Sequence, residues 1–318
     1  MPILIWIIVF TVSLFVLIKA SDYFTDSAER IGLFFGIPPF IVGVTIVALG
    51  TSMPEIITSV IAVLKDSSEI VVGNVVGSNI ANIFLVFGLT SIIAKKMTIT
   101  HDLIKVDLPF LVGSALLLTA TIWDGVFGRI EALLCLAAMG VYLLYTISTE
   151  EKHKDTELEK ELEEKLKEKE TLWKAWVVLA VSAAFIFLGA TFTIESIIQL
   201  SGLLDIGKEV IAVSAVAFGT SLPELVVSVT AVRKGKPEIA VGNILGSNIF
   251  NALAVMGIPA LIGTLVIPPS IIAFGLPMML IATLLYVFIT QDKEIANWEG
   301  WLLLIFYVFF IGKLFNFF

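Results

Sequence analysis

The chain has 318 residues, 58% of them hydrophobic and only 15% charged, with a net charge of −8. A soluble globular chain could not hide that much apolar surface in one core, so the composition excludes that class and indicates an all-α integral membrane protein within a lipid bilayer. The acidic balance lies mostly in the polar segments between the apolar runs, and it gives no reason to expect a nucleic-acid partner.

Apolar runs near the roughly 20 residues that cross a bilayer fall at 2–20, 38–63, 69–93, 103–123 and 127–147, and again at 174–194, 208–232, 238–264, 270–290 and 297–314. This predicts ten transmembrane helices in two groups of five: a first repeat over 1–148, a charged linker over 149–173 and a second repeat over 174–318. The first run lacks a basic leading region, carries its only cation (Lys19) at the far end and is followed by no convincing cleavage site, so it reads as a retained span rather than a signal peptide. Cys135, the single cysteine, lies within the fifth run and reads as a packed core residue without a disulfide partner.

Orientation follows from Lys and Arg alone. With the N-terminus outside, sixteen fall on the cytoplasmic side (Lys19, Arg30, Lys95, Lys96, Lys105, the seven lysines from Lys152 to Lys174, Arg233, Lys234, Lys236 and Lys293) and four outside (Lys65, Arg129, Lys208 and Lys313). Both termini are therefore expected outside a cell membrane and the linker in the cytoplasm. No feature demands an oligomer, and a monomeric or weakly oligomeric protein is expected.

After the first span, Ser21 to Gly36 reads as a short amphipathic link. Pro38 and Pro39 open the second span, as prolines do at helix starts. Along it Ala48, Thr51, Ser52, Glu55 and Ser59 recur at spacings of three and four and share one helical face. Pro54 removes a backbone donor and displaces the carbonyl four residues back, which predicts a kink near Ala48 to Thr51 and carbonyl oxygens free to line a cavity. In the third span Asn74, Ser78 and Asn82 form a polar stripe, while Gly73 and Gly77 have the spacing that lets helices approach closely.

Elsewhere the polar residues read as structural. Asp107 is placed near enough to the cytoplasmic end to be hydrated, with a packing or gating role as the alternative, and His101 and His153, without metal-ligand spacing around them, read as surface residues. Trp123, Trp173, Trp176, Trp298 and Trp301 fall at span ends, where interfacial aromatics belong. The Glu- and Lys-rich stretch Thr149 to Thr171 reads as a short solvated helix held by pairs such as Glu161 with Lys165, too short to fold as a domain.

Ile41–Asn82 aligns with Val210–Asn251 at one constant offset, without a gap and with 23 identities in 42 positions. Such self-similarity marks an internal structural repeat. Five spans per half is an odd number, so the second half enters the membrane inverted, a plan typical of secondary transporters whose substrate sites lie at midplane where the repeats meet. There Glu55 and Glu224 would meet, flanked by Thr51, Ser52, Ser78 and Asn82 from one half and Thr220, Ser221, Ser247 and Asn251 from the other. Glutamate inside a membrane span costs several kcal/mol unless it faces a polar cavity or partner, so the pair reads as functional.

Two carboxylates with hydroxyls, amides and free carbonyls suit Ca2+, which takes six to eight oxygens in flexible geometry. The same oxygens could hold two or three Na+, and without Cys or His the softer transition metals fit poorly. Mutually exclusive occupancy of shared carboxylates is all that antiport requires. Protons titrating the glutamates would give H+/Ca2+ exchange as the alternative. A membrane enzyme using the carboxylates as acid and base would need a nucleophile or metal cluster that the neighbouring Ser, Thr and Asn do not supply. No cofactor is called for beyond the transported ions.

The duplicated Gly-Thr-Ser-x-Pro-Glu and Gly-Asn-x-x-Gly-Ser-Asn-x-x-Asn motifs resemble the α-repeats of the cation/Ca2+ exchanger superfamily, particularly its prokaryotic sodium/calcium exchangers. The resemblance covers essentially the whole chain. It implies Glu55 and Glu224 as shared Ca2+ and Na+ ligands and main-chain carbonyls of Thr51 and Thr220 as Ca2+ ligands. It further implies Na+ sites made by Ala48, Thr51, Ser52 and Ser78 and by Ala217, Thr220, Ser221 and Ser247, with Asn82 and Asn251 between them. The first and sixth spans would slide across a fixed core of the other eight. Several relatives, potassium-dependent exchangers among them, carry Asp where this chain has Asn251, so two formal charges rather than three imply exchange without K+. Proton-coupled relatives carry a different pattern around their glutamates, so the resemblance implies Na+ as the counter-ion.

Overall fold

Helix α1 runs without interruption from Pro2 to Phe35, through the stretch expected to be a separate link. No residue between Ser21 and Phe35 breaks the helix. It ends at Gly36, whose φ of +72° favours glycine, with Ile37 N–H donating to the Gly32 carbonyl at 2.8 Å in the manner of a helix C-cap. The computed structural model describes residues 2–64, 66, 68–150, 172–203, 221–314 and 317. Among these, eight helices are long and apolar enough to cross a membrane, joined by the shorter apolar helix Asp107–Ile122, which makes this an all-helical membrane protein.

The second span is built from α2 (Pro39–Val42), a wide π turn (Gly43–Val47) and α3 (Ala48–Leu64). Here the backbone irregularity lies N-terminal to the kink expected at Ala48 to Thr51, and α3 stays helical through Pro54. Packing selects the position: a Cβ on Gly43 would stand 2.4 Å from the Ile239 carbonyl oxygen, so the turn sits where the chain has no side chain. The third span follows as α4 (Glu69–Ala81), a π turn (Asn82–Phe87) and α5 (Gly88–Ala94). Strand β1 (Lys96–Thr98), α6 (Asp107–Ile122), β2 (Val126–Phe127) and α7 (Arg129–Glu150) complete the first half.

The second half begins with the long helix α8 (Leu172–Leu203), then α9 (Leu222–Arg233) and α10 (Pro237–Phe250). A π turn (Asn251–Val255), α11 (Met256–Ile262) and β3 (Leu265–Val266) follow. The chain closes with a π turn (Ile271–Gly275), α12 (Leu276–Thr290), β4 (Glu294–Ala296) and α13 (Asn297–Leu314). The expected helix within the linker and the first part of the span at 208–232 lie outside the described residues. The π turns that start at Asn82 and at Asn251, equivalent positions of the repeat, were not legible in the sequence.

Strand pairing obeys the same repeat. β1 pairs with β4 and β2 with β3, both antiparallel. The offset that carries Ile41 onto Val210 carries β1 onto β3 and β2 onto β4, so one ribbon maps onto the other with the partners exchanged. The connecting segments gather at two ends. At one, Thr100 donates its N–H and hydroxyl to Glu238, each at 2.6 Å, and Ile99 N–H donates to the Lys293 carbonyl at 2.9 Å. At the other, Val266 N–H donates to Ser68 Oγ at 3.2 Å and Ile267 N–H to the Gly125 carbonyl at 3.0 Å.

At the first end, Lys234 pairs with Asp26 at 2.8 Å and donates to the Asp22 carbonyl at 2.7 Å, and Lys236 pairs with Glu29. Charges that read as a plain link therefore tie α1 to the turn between α9 and α10. Two further expectations are corrected there. Asp107 is 4% exposed rather than hydrated, and accepts from the Tyr142 hydroxyl at 3.3 Å. His101 is no plain surface residue: its Nε2 lies 3.1 Å from Asp107, and its ring stacks on Phe40 with centroids 4.4 Å apart. A carboxylate buried at a helix start is stable where such partners replace water. His153 lies outside the described residues. Cys135 is buried, and the five tryptophans at span ends are exposed as interfacial aromatics should be.

Packing places α10 at the centre. A Cβ on Gly242 would fall 2.3 Å from the Phe40 carbonyl oxygen, and one on Gly246 would fall 2.4 Å from that of Val44 and 2.7 Å from Ala48 Cβ. Bare backbone on α10 thus lets the second span lie directly against it. For their counterparts Gly73 and Gly77, no described residue stands within 4 Å of such a Cβ. α1 and α8 pack along one another and form, with α9, a second apolar cluster beside the main core.

Candidate ion-binding site

Glu55 lies in the interior of α3 and Glu224 in the first turn of α9, and both are buried, at 2% and 0% exposure. Ser52, one turn before Glu55, donates its hydroxyl to Glu224 Oε1 at 3.4 Å, a contact between the two halves of the chain. Both Glu55 oxygens and Glu224 Oε2 have no hydrogen-bond partner among the described residues.

Around them the expected residues are buried without exception where they are described: Ala48, Thr51, Ser52, Ser78 and Asn82 from the first half, Ser221, Ser247 and Asn251 from the second. Ala217 and Thr220 lie outside the described residues. Thr51 Oγ1 lies 3.5 Å from Ser247 Oγ and 3.3 Å from the Ala48 carbonyl oxygen. The side-chain amides of Asn82 and Asn251 and the Ser221 hydroxyl, all buried, lack hydrogen-bond partners among the described residues. Leaving a buried polar group unpaired costs about 1–3 kcal/mol, more for a charge, so such a collection of oxygens is the chemistry of a site that takes a cation. The donor set, two carboxylates with hydroxyl and amide oxygens, suits hard cations rather than thiophilic metals.

Three contacts near the site involve asparagines outside the expected ligand set. Asn243 accepts from Thr51 at 3.1 Å and donates to Ser228 at 2.9 Å, and Asn79 donates to the Asn248 carbonyl at 3.4 Å. Asn243, Ser228, Asn79 and Asn248 all belong to the duplicated segment, where their counterparts Asn74, Ser59, Asn248 and Asn79 are identical. That identity was the available signal. It could not give which amide reaches across to the other half.

The family model described as sodium/calcium exchanger protein matches residues 5–149 and 174–315, nearly the full length. The chain belongs to the sodium/calcium exchanger family. As such it is a membrane transporter and not an enzyme. The sodium/calcium exchanger MaX1 of Methanosarcina acetivorans is 33% identical over 94% of this chain and 95% of its own length. The inner membrane protein YrbG of Escherichia coli is 31% identical over 86% and 85%. Among solved structures, the sodium-calcium exchanger NCX_Mj, soaked with Na+ and Sr2+, superposes with a TM-score of 0.83 at 28% identity, over 98% of each chain.

Proposed function

We propose that this exchanger moves Ca2+ against Na+ by alternating access, electrogenically and without K+. The observation that carries the proposal is the pair of buried carboxylates, Glu55 and Glu224, brought together from two halves with three of their four oxygens unpartnered among the described residues. Two carboxylates neutralise one divalent ion, or share several monovalent ions with the surrounding hydroxyls. Occupancy by one kind excludes the other, and that exclusion couples the fluxes. The names of MaX1 and NCX_Mj point to the same two ions.

In this reading the ligands are Glu55, Glu224, Ser52, Ser221, Ser78, Ser247, Asn82, Asn251 and the backbone or side-chain oxygens of Ala48, Thr51, Ala217 and Thr220. The architecture is ten spans in two inverted repeats, 1–148 and 174–318, joined by a cytoplasmic linker at 149–173. Support comes from the exchanged pairing of the two ribbons and from π turns at Asn82 and Asn251. Both termini face outward from the cell membrane. The end that carries Arg30, Lys95, Lys96, Lys234, Lys236 and Lys293 is the cytoplasmic one, in accord with the positive-inside rule. The protein works as a monomer or a weak oligomer.

Uptake of radiolabelled Ca2+ into proteoliposomes loaded with Na+, K+ or acid, at clamped potential, tests the proposal. Uptake driven only by the outward Na+ gradient identifies Na+ as the counter-ion. Exchange that carries more positive charge out as Na+ than in as Ca2+ is faster when the interior is positive, and uptake indifferent to potential would make it electroneutral. Uptake driven by acid without Na+ would replace Na+ by H+ as the counter-ion.

A further inference from the structure

The two halves carry the same residues around the site but not the same bonds. On α10, Asn243 is fully buried and holds two helices at once. Its Oδ1 accepts from Thr51 on α3 at 3.1 Å, and its Nδ2 donates to Ser228 on α9 at 2.9 Å. Thr51 is one turn before Glu55 and Ser228 one turn after Glu224, so this amide braces the two glutamate-bearing helices against each other.

The repeat maps Asn243 to Asn74 and Ser228 to Ser59. All four of these side chains are in described segments. Yet the bond between Asn74 and Ser59 is not made: neither amide atom of Asn74, nor the Ser59 hydroxyl, which is buried, has a partner among the described residues. Among the described residues one half is braced and its counterpart is not; Thr220, the counterpart of Thr51, lies outside them.

We propose that Asn243 and Asn74 are positioning residues whose braces are made alternately. Asn243 with Ser228 is closed in the conformation seen here, and Asn74 with Ser59 closes in the conformation that opens the site to the opposite side of the membrane. The inference rests on the alternating-access reading given above. Its physical basis is that two halves with one sequence pattern can exchange local conformations at little net cost, because the bond lost in one is regained in the other. Each state then carries one open pair, so the cost of the unpaired groups is alike in the two and the equilibrium between them stays near balance. The brace acts through the spacing of α3 and α9 and touches no ion itself.

The test is sidedness. Removing the Asn243 brace destabilises the present conformation, and removing the Asn74 brace destabilises the opposite one. A shift in the populations of two states changes the apparent affinity for an ion in opposite directions on the two sides. Apparent KM for Ca2+ is measured separately from each face of oriented proteoliposomes, in wild type, Asn243→Ala and Asn74→Ala. One hydrogen bond is worth about a fivefold change in an equilibrium constant. Asn243→Ala is expected to raise KM by up to about fivefold on one face and lower it on the other, and Asn74→Ala to do the reverse.

The milder pair Ser228→Ala and Ser59→Ala, which removes one hydroxyl each, is expected to follow the same two directions and covers the case in which an Asn variant fails to fold. KM values that stay unchanged on both faces, or that shift alike on both, would overturn the proposal. A wild-type protein without Na+-dependent Ca2+ uptake would instead overturn the functional reading on which it rests.

Discussion

Asn79 donates its side-chain amide to the backbone carbonyl of Asn248 at 3.4 Å, and the two residues are counterparts in the repeat. A residue that contacts its own repeat mate lies close to the axis relating the two copies. The side-chain amide of Asn248 bonds instead to the Ile244 carbonyl within its own helix, at 2.7 Å, so the contact is made from one side only. The same one-sidedness marks the Asn243 brace, and Ser52, one turn before Glu55, bonds to Glu224 across the same boundary between the halves.

Glu55→Gln and Glu224→Gln keep the shape of the side chain and remove its charge. Each variant is expected to lose Ca2+ uptake by more than about thirtyfold, the equivalent of about 2 kcal/mol for one charged partner. Thermal unfolding of the ion-free protein in detergent should be unchanged or shifted upward, because an unpartnered buried carboxyl group has been replaced by a neutral amide of the same shape. Near-normal uptake in both variants would remove the basis of the site.

Gly246→Ala puts a methyl group 2.4 Å from the Val44 carbonyl oxygen and 2.7 Å from Ala48 Cβ, both on the second span. Overpacking of this kind costs about 1–3 kcal/mol. A lower unfolding midpoint is expected, together with weaker Na+ dependence, because Ala48 lies in the contact. Gly140→Ala is the control: no described atom stands within 4 Å of its new Cβ, and helix propensity favours alanine there by up to about 1 kcal/mol. Equal destabilisation by the two changes would contradict the packing described for α10.

The glutamates, their flanking hydroxyls and the repeat were legible because a membrane interior makes polar residues stand out against an apolar background. Positions set by packing were not. Pro54 alone places a kink at Ala48 to Thr51, whereas the wide turn falls at Gly43 to Val47, where α10 presses against a glycine. Ser21 to Phe35 continues α1 as helix, and its acidic side chains find Lys234 and Lys236 in the other half of the chain. His101 and Asp107 likewise pair with each other and pack on Phe40 and Tyr142, contacts set by tertiary structure rather than by local pattern.

Orientation can be checked with single cysteines in place of Lys96 and Asp124, which lie at opposite ends of the molecule. Native Cys135 is buried and should remain unlabelled in the folded protein. Membrane-impermeant maleimide added to intact cells is expected to label the cysteine at position 124 and to reach that at 96 only after the membrane is opened. The reverse pattern would invert the assignment of inside and outside.

The proposed exchange needs no K+, because position 251 carries an amide and the proposed site then has two carboxylates. Replacing K+ by choline on both sides should leave Na+-driven Ca2+ uptake within about twofold, a change of less than about 0.5 kcal/mol. Strong stimulation by K+ would show that a third charge is not needed for its binding.

The most direct test of the central claim, that Glu55 and Glu224 are shared by the exchanging ions, is calorimetric titration of Ca2+ into the purified protein with and without Na+. The account predicts saturable Ca2+ binding that weakens as Na+ rises and disappears in Glu55→Gln and in Glu224→Gln. Ca2+ binding that persists in both variants, or that is indifferent to Na+, would contradict it.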